Sequence, residues 1–195
     1  MPRAVRTLVG LGFLLLAGCA GQPETLPREA PDYHLLASIL MTETAGSGPV
    51  KANTGYFFYV RTAPPNVAGP MLEGYELRNG AAVDSFGGGS ESAAVVEAIL
   101  NVDLRPFDFD REVARVTAML KARAAESGEF FVEPQGRDGA EWEIAIVTAS
   151  GKFTLRAWNP GFTIDAYAAH SDDIRRLKAT IDLLAQYYGR QKLGL

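Results

Sequence analysis

Cysteine is almost missing from this chain: there is one in 195 residues, and histidine occurs only twice. A lone cysteine excludes an internal disulfide framework and any multi-cysteine metal site. The two histidines, His34 and His170, are far apart and match no HExxH or His-rich spacing. No apolar run approaches the ~20 residues that a bilayer-spanning helix needs. Basic charge is also short, with 19 Lys and Arg against 23 Asp and Glu and a net charge of −4. That balance works against phosphate neutralisation, so no nucleic-acid partner is expected. What remains, 47% hydrophobic and 22% charged residues, describes an ordinary globular chain with one domain.

The N-terminus carries an address. Arg3 and Arg6 form a short basic region, followed by the ten-residue apolar run Thr7 to Leu16, too short to span but suited to the core of a signal peptide. Small residues and the only cysteine come next, Leu16-Ala17-Gly18-Cys19. Here the sequence resembles a bacterial lipoprotein precursor, whose lipobox reads Leu, a small residue, Gly or Ala, then Cys. The resemblance covers about a tenth of the chain and implies thioether lipidation of Cys19, cleavage after Gly18 and acylation of the new N-terminus by fatty acids such as palmitate. In enterobacterial members of this class Asp after the cysteine favours inner-membrane retention, so Ala20 points to the outer membrane, with the domain facing the periplasm. Each buried CH₂ contributes ~0.8 kcal/mol, and two or three acyl chains make such attachment effectively permanent. Loss of Arg3 and Arg6 leaves 17 basic residues against 23 acidic ones, a net of −6, so lipid rather than surface charge would hold the body to its bilayer.

The chain then divides into residues 1–18 as signal peptide, 19–31 as acylated cysteine and tether, and 32–195 as the folded domain. Pro23, Pro27 and Pro31 make the tether extended, and its twelve residues after Cys19 reach ~37 Å. Asp32 is a candidate cap for a first helix carrying Leu35, Leu36, Ile39 and Leu40, ended by Gly46-Ser47-Gly48-Pro49. Tyr56 to Thr62 reads as a strand. Asn79-Gly80 between Tyr75–Arg78 and Ala81–Phe86 is a strong hairpin signal, because both turn residues tolerate φ > 0. Ser90 or Ser92 opens a helix through Asn101, and Asp108 or Asp110 opens a longer one that Gly128 stops. Phe130 to Glu133 reads as a short strand. Trp142–Thr148, Lys152–Trp158 and Phe162–Tyr167 read as a three-stranded meander joined by Ser150-Gly151 and Asn159-Pro160-Gly161. Ser171 caps a last helix with the stripe Ile174, Leu177, Ile181, Leu184 and Tyr188, ended by Gly189. The expected fold class is α+β: antiparallel sheet, a hairpin plus a meander, with packed helices. Three strands and a helix, twice over, also raise a structural duplication, although no residue-level repeat accompanies it.

Few residues point to chemistry. Gly87-Gly88-Gly89-Ser90 lacks the lysine of a phosphate-binding GxxxxGK[ST] loop and the spacing of a dinucleotide site. Gly88-Gly89-Ser90-Glu91-Ser92 has only the first glycine of a GxSxG elbow. His170 beside Ser171 is what a helix start also looks like, and the pairs Asp108/Asp110 and Asp172/Asp173 suit helix N-termini better than calcium. Glu141, Glu143 and Asp165 are available carboxylates, but neighbours on one solvated strand face rarely acquire the unlike environments of a glycosidase pair. Arg156 and Trp158 alternate with Phe153 and Leu155, so they face away from the core if the latter pair faces the helices. Trp and Arg are enriched at interfaces, which makes Arg156 and Trp158 a candidate interaction face. No catalytic residue, cofactor or metal is assigned. The expected function is a membrane-anchored envelope lipoprotein that binds a partner protein or polymer, as an assembly factor, inhibitor or immunity-type module. The alternative is a periplasmic hydrolase of cell-wall or envelope polymers, which would call for a deep cleft with convergent acids.

Overall fold

The computed structural model describes residues 33–44, 51–61, 70–79, 81–87, 91–134, 140–148 and 150–193. The lipobox with Cys19, the tether, Asp32 and the Gly46–Pro49 turn lie outside them. The chain forms β1 (Tyr33–Thr44), β2 (Lys51–Arg61), β3 (Met71–Arg78), β4 (Ala81–Gly87), α1 (Ser92–Asn101), α2 (Phe109–Ser127), β5 (Ala140–Thr148), β6 (Gly151–Trp158), α3 (Pro160–Tyr167) and α4 (Asp172–Leu193). All six strands join one antiparallel sheet in the order β4-β3-β2-β1-β5-β6. This is an α+β fold in a single domain. Four strands, two helices, two strands and two helices follow in sequence, so the chain order is not the repeated unit of three strands and a helix.

The expected first helix is instead β1, the strand on which the two parts of the sheet meet. It pairs with β2 on one side and β5 on the other. A strand flanked on both sides carries apolar residues on both faces, and here a register shift between Leu35 and Ala37 sets Leu36 beside Ala37 in the core. A bulge and two-faced burial thus imitate the i, i+3, i+4 spacing of a helix. The third meander strand is instead α3. Asn159 is left-handed at φ 42°, and Pro160, whose missing N–H costs nothing in a first helical turn, stands at the start. Residues 129–134 form no strand, and α4 runs past Gly189 to Leu193.

Other punctuation behaves as its chemistry requires. Asn79 has φ 51° at the β3–β4 hairpin. The Asp108 carboxylate accepts from the Arg111 N–H at 3.0 Å, capping α2, and Gly128 closes the helix at φ 72°. Ser171 Oγ accepts from the Ile174 N–H at 3.2 Å, capping α4. Glu91 occupies the cap position of α1 but its carboxylate pairs with Arg190 instead of capping the helix, and Ser92 is that helix's buried first residue.

Register makes the helices share one face of the sheet. Phe153 and Leu155 stand opposite Ile146 and Ile144, these opposite Ala37 and Ile39, and these opposite Phe58 and Tyr56. Leu72, Gly74 and Glu76 continue the same rows on β3. Onto this surface pack Val96 and Ile99 of α1, Val116 of α2, Ile164 of α3 and Ile174, Leu177, Leu184 and Tyr187 of α4, all buried. Tyr187 rather than Tyr188 is the more deeply buried of the two. The Phe86 ring lies over Gly74, where a Cβ would sit 2.2 Å from it, so only glycine fits beneath.

Candidate functional site

The sheet's other face is the candidate site, and it is built row by row. Tyr75, Phe57, Ser38, Ala145 and Thr154 stand opposite one another across five strands. The next row is Leu77, Gly55, Leu40, Glu143 and Arg156, and the one beyond runs Asn53, Thr42, Glu141 and Trp158. None of the four helices is needed to complete these rows, whose side chains point away from the helical layer. Tyr75, Phe57, Leu77 and Leu40 are half-buried by their own neighbours. Gly55 makes that clustering possible: a Cβ there would meet Leu40 Cδ2 at 2.7 Å and the Phe57 ring at 3.1 Å. The Tyr59 and Tyr75 rings meet edge to face at 6.0 Å, and Arg61 reaches Glu73 at 3.4 Å.

The face therefore grades from aromatic and apolar over β2 and β3 to charged over β5 and β6. A half-open hollow of about 380 Å³ lies between the two, lined among others by Ser38, Leu40, Glu143, Lys152, Thr154 and Arg156. Arg156 Nε donates to Glu141 Oε1 at 2.8 Å, and this hydrogen bond raises the guanidinium above its ordinary pKa. Trp158 is 49% exposed. Arg156 and Trp158 thus occupy the side of the sheet opposite Phe153 and Leu155.

The remaining chemistry candidates are dispersed. Glu141 is engaged by Arg156, while Glu143 is exposed on the same solvated face. Asp165 lies on α3 and pairs with Lys178 of α4 at 3.0 Å. Asp172 and Asp173 lie in the first turn of α4, paired with Arg175 and Arg176. His34 is exposed on β1, and His170 is half-buried in the turn between α3 and α4. Gly87 has φ 117°, and the rest of the glycine run lies outside the described residues. Among the described residues, no group of three His, Cys, Asp or Glu side chains is arranged to hold a metal.

Two polar clusters on the helical face carry no signal in the sequence patterns. Glu76 is buried, accepting from Arg78 Nε at 2.8 Å and from the Tyr188 hydroxyl at 2.7 Å; burial and then this bond raise the Tyr188 pKa. The Tyr187 hydroxyl donates to the Leu72 carbonyl at 2.6 Å, with Ser92 Oγ 3.1 Å away. Every buried side-chain polar atom among the described residues has a partner, so these clusters fasten α1 and α4 to the sheet.

The class these observations define is an α+β domain with helices on one face of an antiparallel sheet and a mixed aromatic and charged surface on the other. Comparison with protein-family models, curated proteins and solved structures finds no match.

Proposed function

We propose that this chain is a bacterial envelope lipoprotein, held by acyl chains on Cys19 in the outer membrane, whose domain works in the periplasm by binding a partner protein. The observation that carries the binding role is the one-sided cladding of the sheet, which leaves Phe57, Tyr59, Tyr75, Arg156 and Trp158 on a single broad surface. Aromatic and arginine side chains supply large contact area at modest entropic cost and dominate interface energetics. A partner with an apolar patch would sit over β2 and β3, with a polar rim against Glu143, Lys152 and Arg156. The lipobox supports the anchor, and the proline-bearing tether would give the domain reach.

Photo-crosslinking from single positions tests the binding role. A crosslinker placed at Tyr75 or Ser38 should capture a discrete partner, whereas one at Glu97 or Glu126 on the helices should not. Capture from the helix positions alone would overturn this assignment of the surface. Metabolic fatty-acid labelling that is equal in wild type and Cys19→Ala would overturn the anchor independently.

A further inference from the structure

The two edges of the sheet are not equivalent. β4 carries a register shift against β3 and is packed by α4 through Phe86 and Tyr187, both features that blunt an edge. β6 pairs with β5 in unbroken register from Gly151 to Trp158, has no proline, and has no strand on its outer side among the described residues; its edge charges, Lys152 and Arg156, restrict which strand can pair with it. Its hydrogen-bonding direction follows from one bond. Asn159 N–H donates to the Ala140 carbonyl at 2.8 Å, and residues 159 and 140 continue the β5–β6 register. Odd-numbered residues of β6 therefore bond to β5, because antiparallel ladders alternate. The N–H and C=O groups of Lys152, Thr154, Arg156 and Trp158 point outward, along with their side chains' shared position on the open face.

We propose that this edge pairs with β6 of a second copy of the chain, antiparallel about a two-fold axis at Leu155, making one twelve-stranded sheet. The register is decided by charge together with the number of paired residues, since axes at Phe153 or Ala157 oppose no like charges but leave outward residues of β6 without a partner on the other β6. Outward-bonding residues must pair with outward-bonding residues, so the pair sum moves in steps of two. With the axis at Thr154, Lys152 would stand opposite Arg156 of the other copy. With the axis at Arg156, the two Arg156 side chains would stand opposite each other. Like charges directly opposite destabilise a ladder. With the axis at Leu155, Lys152 faces Trp158 of the second copy and Thr154 faces Arg156, and all four outward residues of each strand are paired. Lys152 over the half-exposed Trp158 ring is then a cation–π contact. Arg156 keeps its bond to Glu141 in this arrangement, since that bond lies within its own sheet. The pairing does not rest on the anchor or on the protein partner proposed above, although Lys152, Arg156 and Trp158 belong to both surfaces.

Sedimentation equilibrium of the full chain in detergent, across a concentration series, tests the proposal. Wild type should show a monomer–dimer equilibrium. Trp158→Lys sets like charges opposite each other twice per dimer and should weaken association about tenfold. Trp158→Glu sets a carboxylate opposite Lys152 and should associate within about threefold of wild type. Lys152→Glu combined with Trp158→Lys should restore pairing. Thr154→Pro removes an outward N–H while sparing the β5 ladder and should give monomer; the charge variants stand alone if it misfolds. A wild type that stays monomeric overturns the proposal. So does a dimer indifferent to Trp158→Lys, or one weakened equally by the lysine and glutamate variants.

Discussion

The two faces of the sheet are made by the same strands and differ in almost every physical respect. On the covered face, Phe58, Ile144, Ile146, Phe153 and Leu72 are sealed under helices, and a buried carboxylate survives because two donors reach it. On the open face, Leu40, Phe57, Tyr75 and Leu77 stay half-exposed, and ions pair across strands. Burial on the first face supplies most of the stability, so changes there should cost kilocalories. Exposure on the second leaves residues free to change with little effect on folding. That contrast is the reason the proposed binding role is placed on the second face.

The contrast breaks most visibly at Leu177, fully buried on α4. Leu177→Ala should cost ~2–5 kcal/mol, since the packed surroundings relax only partly around the lost side chain. Against a total of ~5–15 kcal/mol this is a large share, and denaturant melts will read it as a lowered midpoint. An unchanged midpoint would mean that α4 is not docked on the sheet.

Much of the covered face was legible because period and punctuation agreed. The α4 stripe, Asp108, Ser171, Gly128 and the Asn79 hairpin carry local signals that tertiary structure had no reason to override. β1 was not legible as a strand, because its apolar residues serve two faces and a bulge shifts their parity. On β3 the apparent pattern is inverted. Tyr75 and Leu77 lie on the open face, whereas Gly74 and Glu76 are buried, for reasons held by distant residues: the Phe86 ring needs the glycine and Tyr188 reaches the carboxylate. The positions of Arg156 and Trp158 followed from alternation alone. The aromatic part of the open surface did not, since only pairing brings Phe57, Tyr59 and Tyr75 together.

Glu76 sharpens the comparison at the next scale. Glu76→Ala removes the carboxylate acceptor of the Tyr188 hydroxyl in a half-buried site and should cost about 1–3 kcal/mol. Glu76→Gln keeps an acceptor and should cost less. Equal losses in thermal melts would show that the carboxylate's charge beside Arg78, rather than the hydrogen bond to Tyr188, sets the cost.

At the rim of the covered side, Glu112 links α2 to the cap of α4. Its carboxylate accepts from Arg115 at 2.6 Å and from Ser171 Oγ at 2.5 Å, and the arginine, with the serine's help, holds its pKa at about 2. A carboxylate depressed on folding stabilises when ionised. Its contribution is complete above the ordinary value of 4.5 and is lost as pH falls through about 2. The partner Arg115 is largely exposed, so the amount should be about 1–2 kcal/mol. Glu112→Gln should flatten the acid limb of a stability–pH curve between those two values. A limb of unchanged slope would place the acid sensitivity elsewhere.

The smallest effect belongs to the open face. Arg156 is exposed and bonded to Glu141, itself partly exposed, at 2.8 Å. Water screens such a pair, and holding two long side chains in one geometry costs conformational entropy, so exposed pairs contribute ~0–1 kcal/mol. The guanidinium lies opposite Glu143 on the neighbouring strand and touches no helix-side core residue through that pairing, so its removal opens no cavity. Arg156→Ala should therefore leave the unfolding midpoint close to that of wild type. The same substitution should change what the open face captures, because the guanidinium lines the hollow beside Lys152 and Thr154. Paired denaturant melts and crosslinking from Ser38, which lines the same hollow, read the two consequences separately. A stability loss matching that of Leu177→Ala would mean that the two faces are not energetically distinct, and the surface would have to be reassigned to the core.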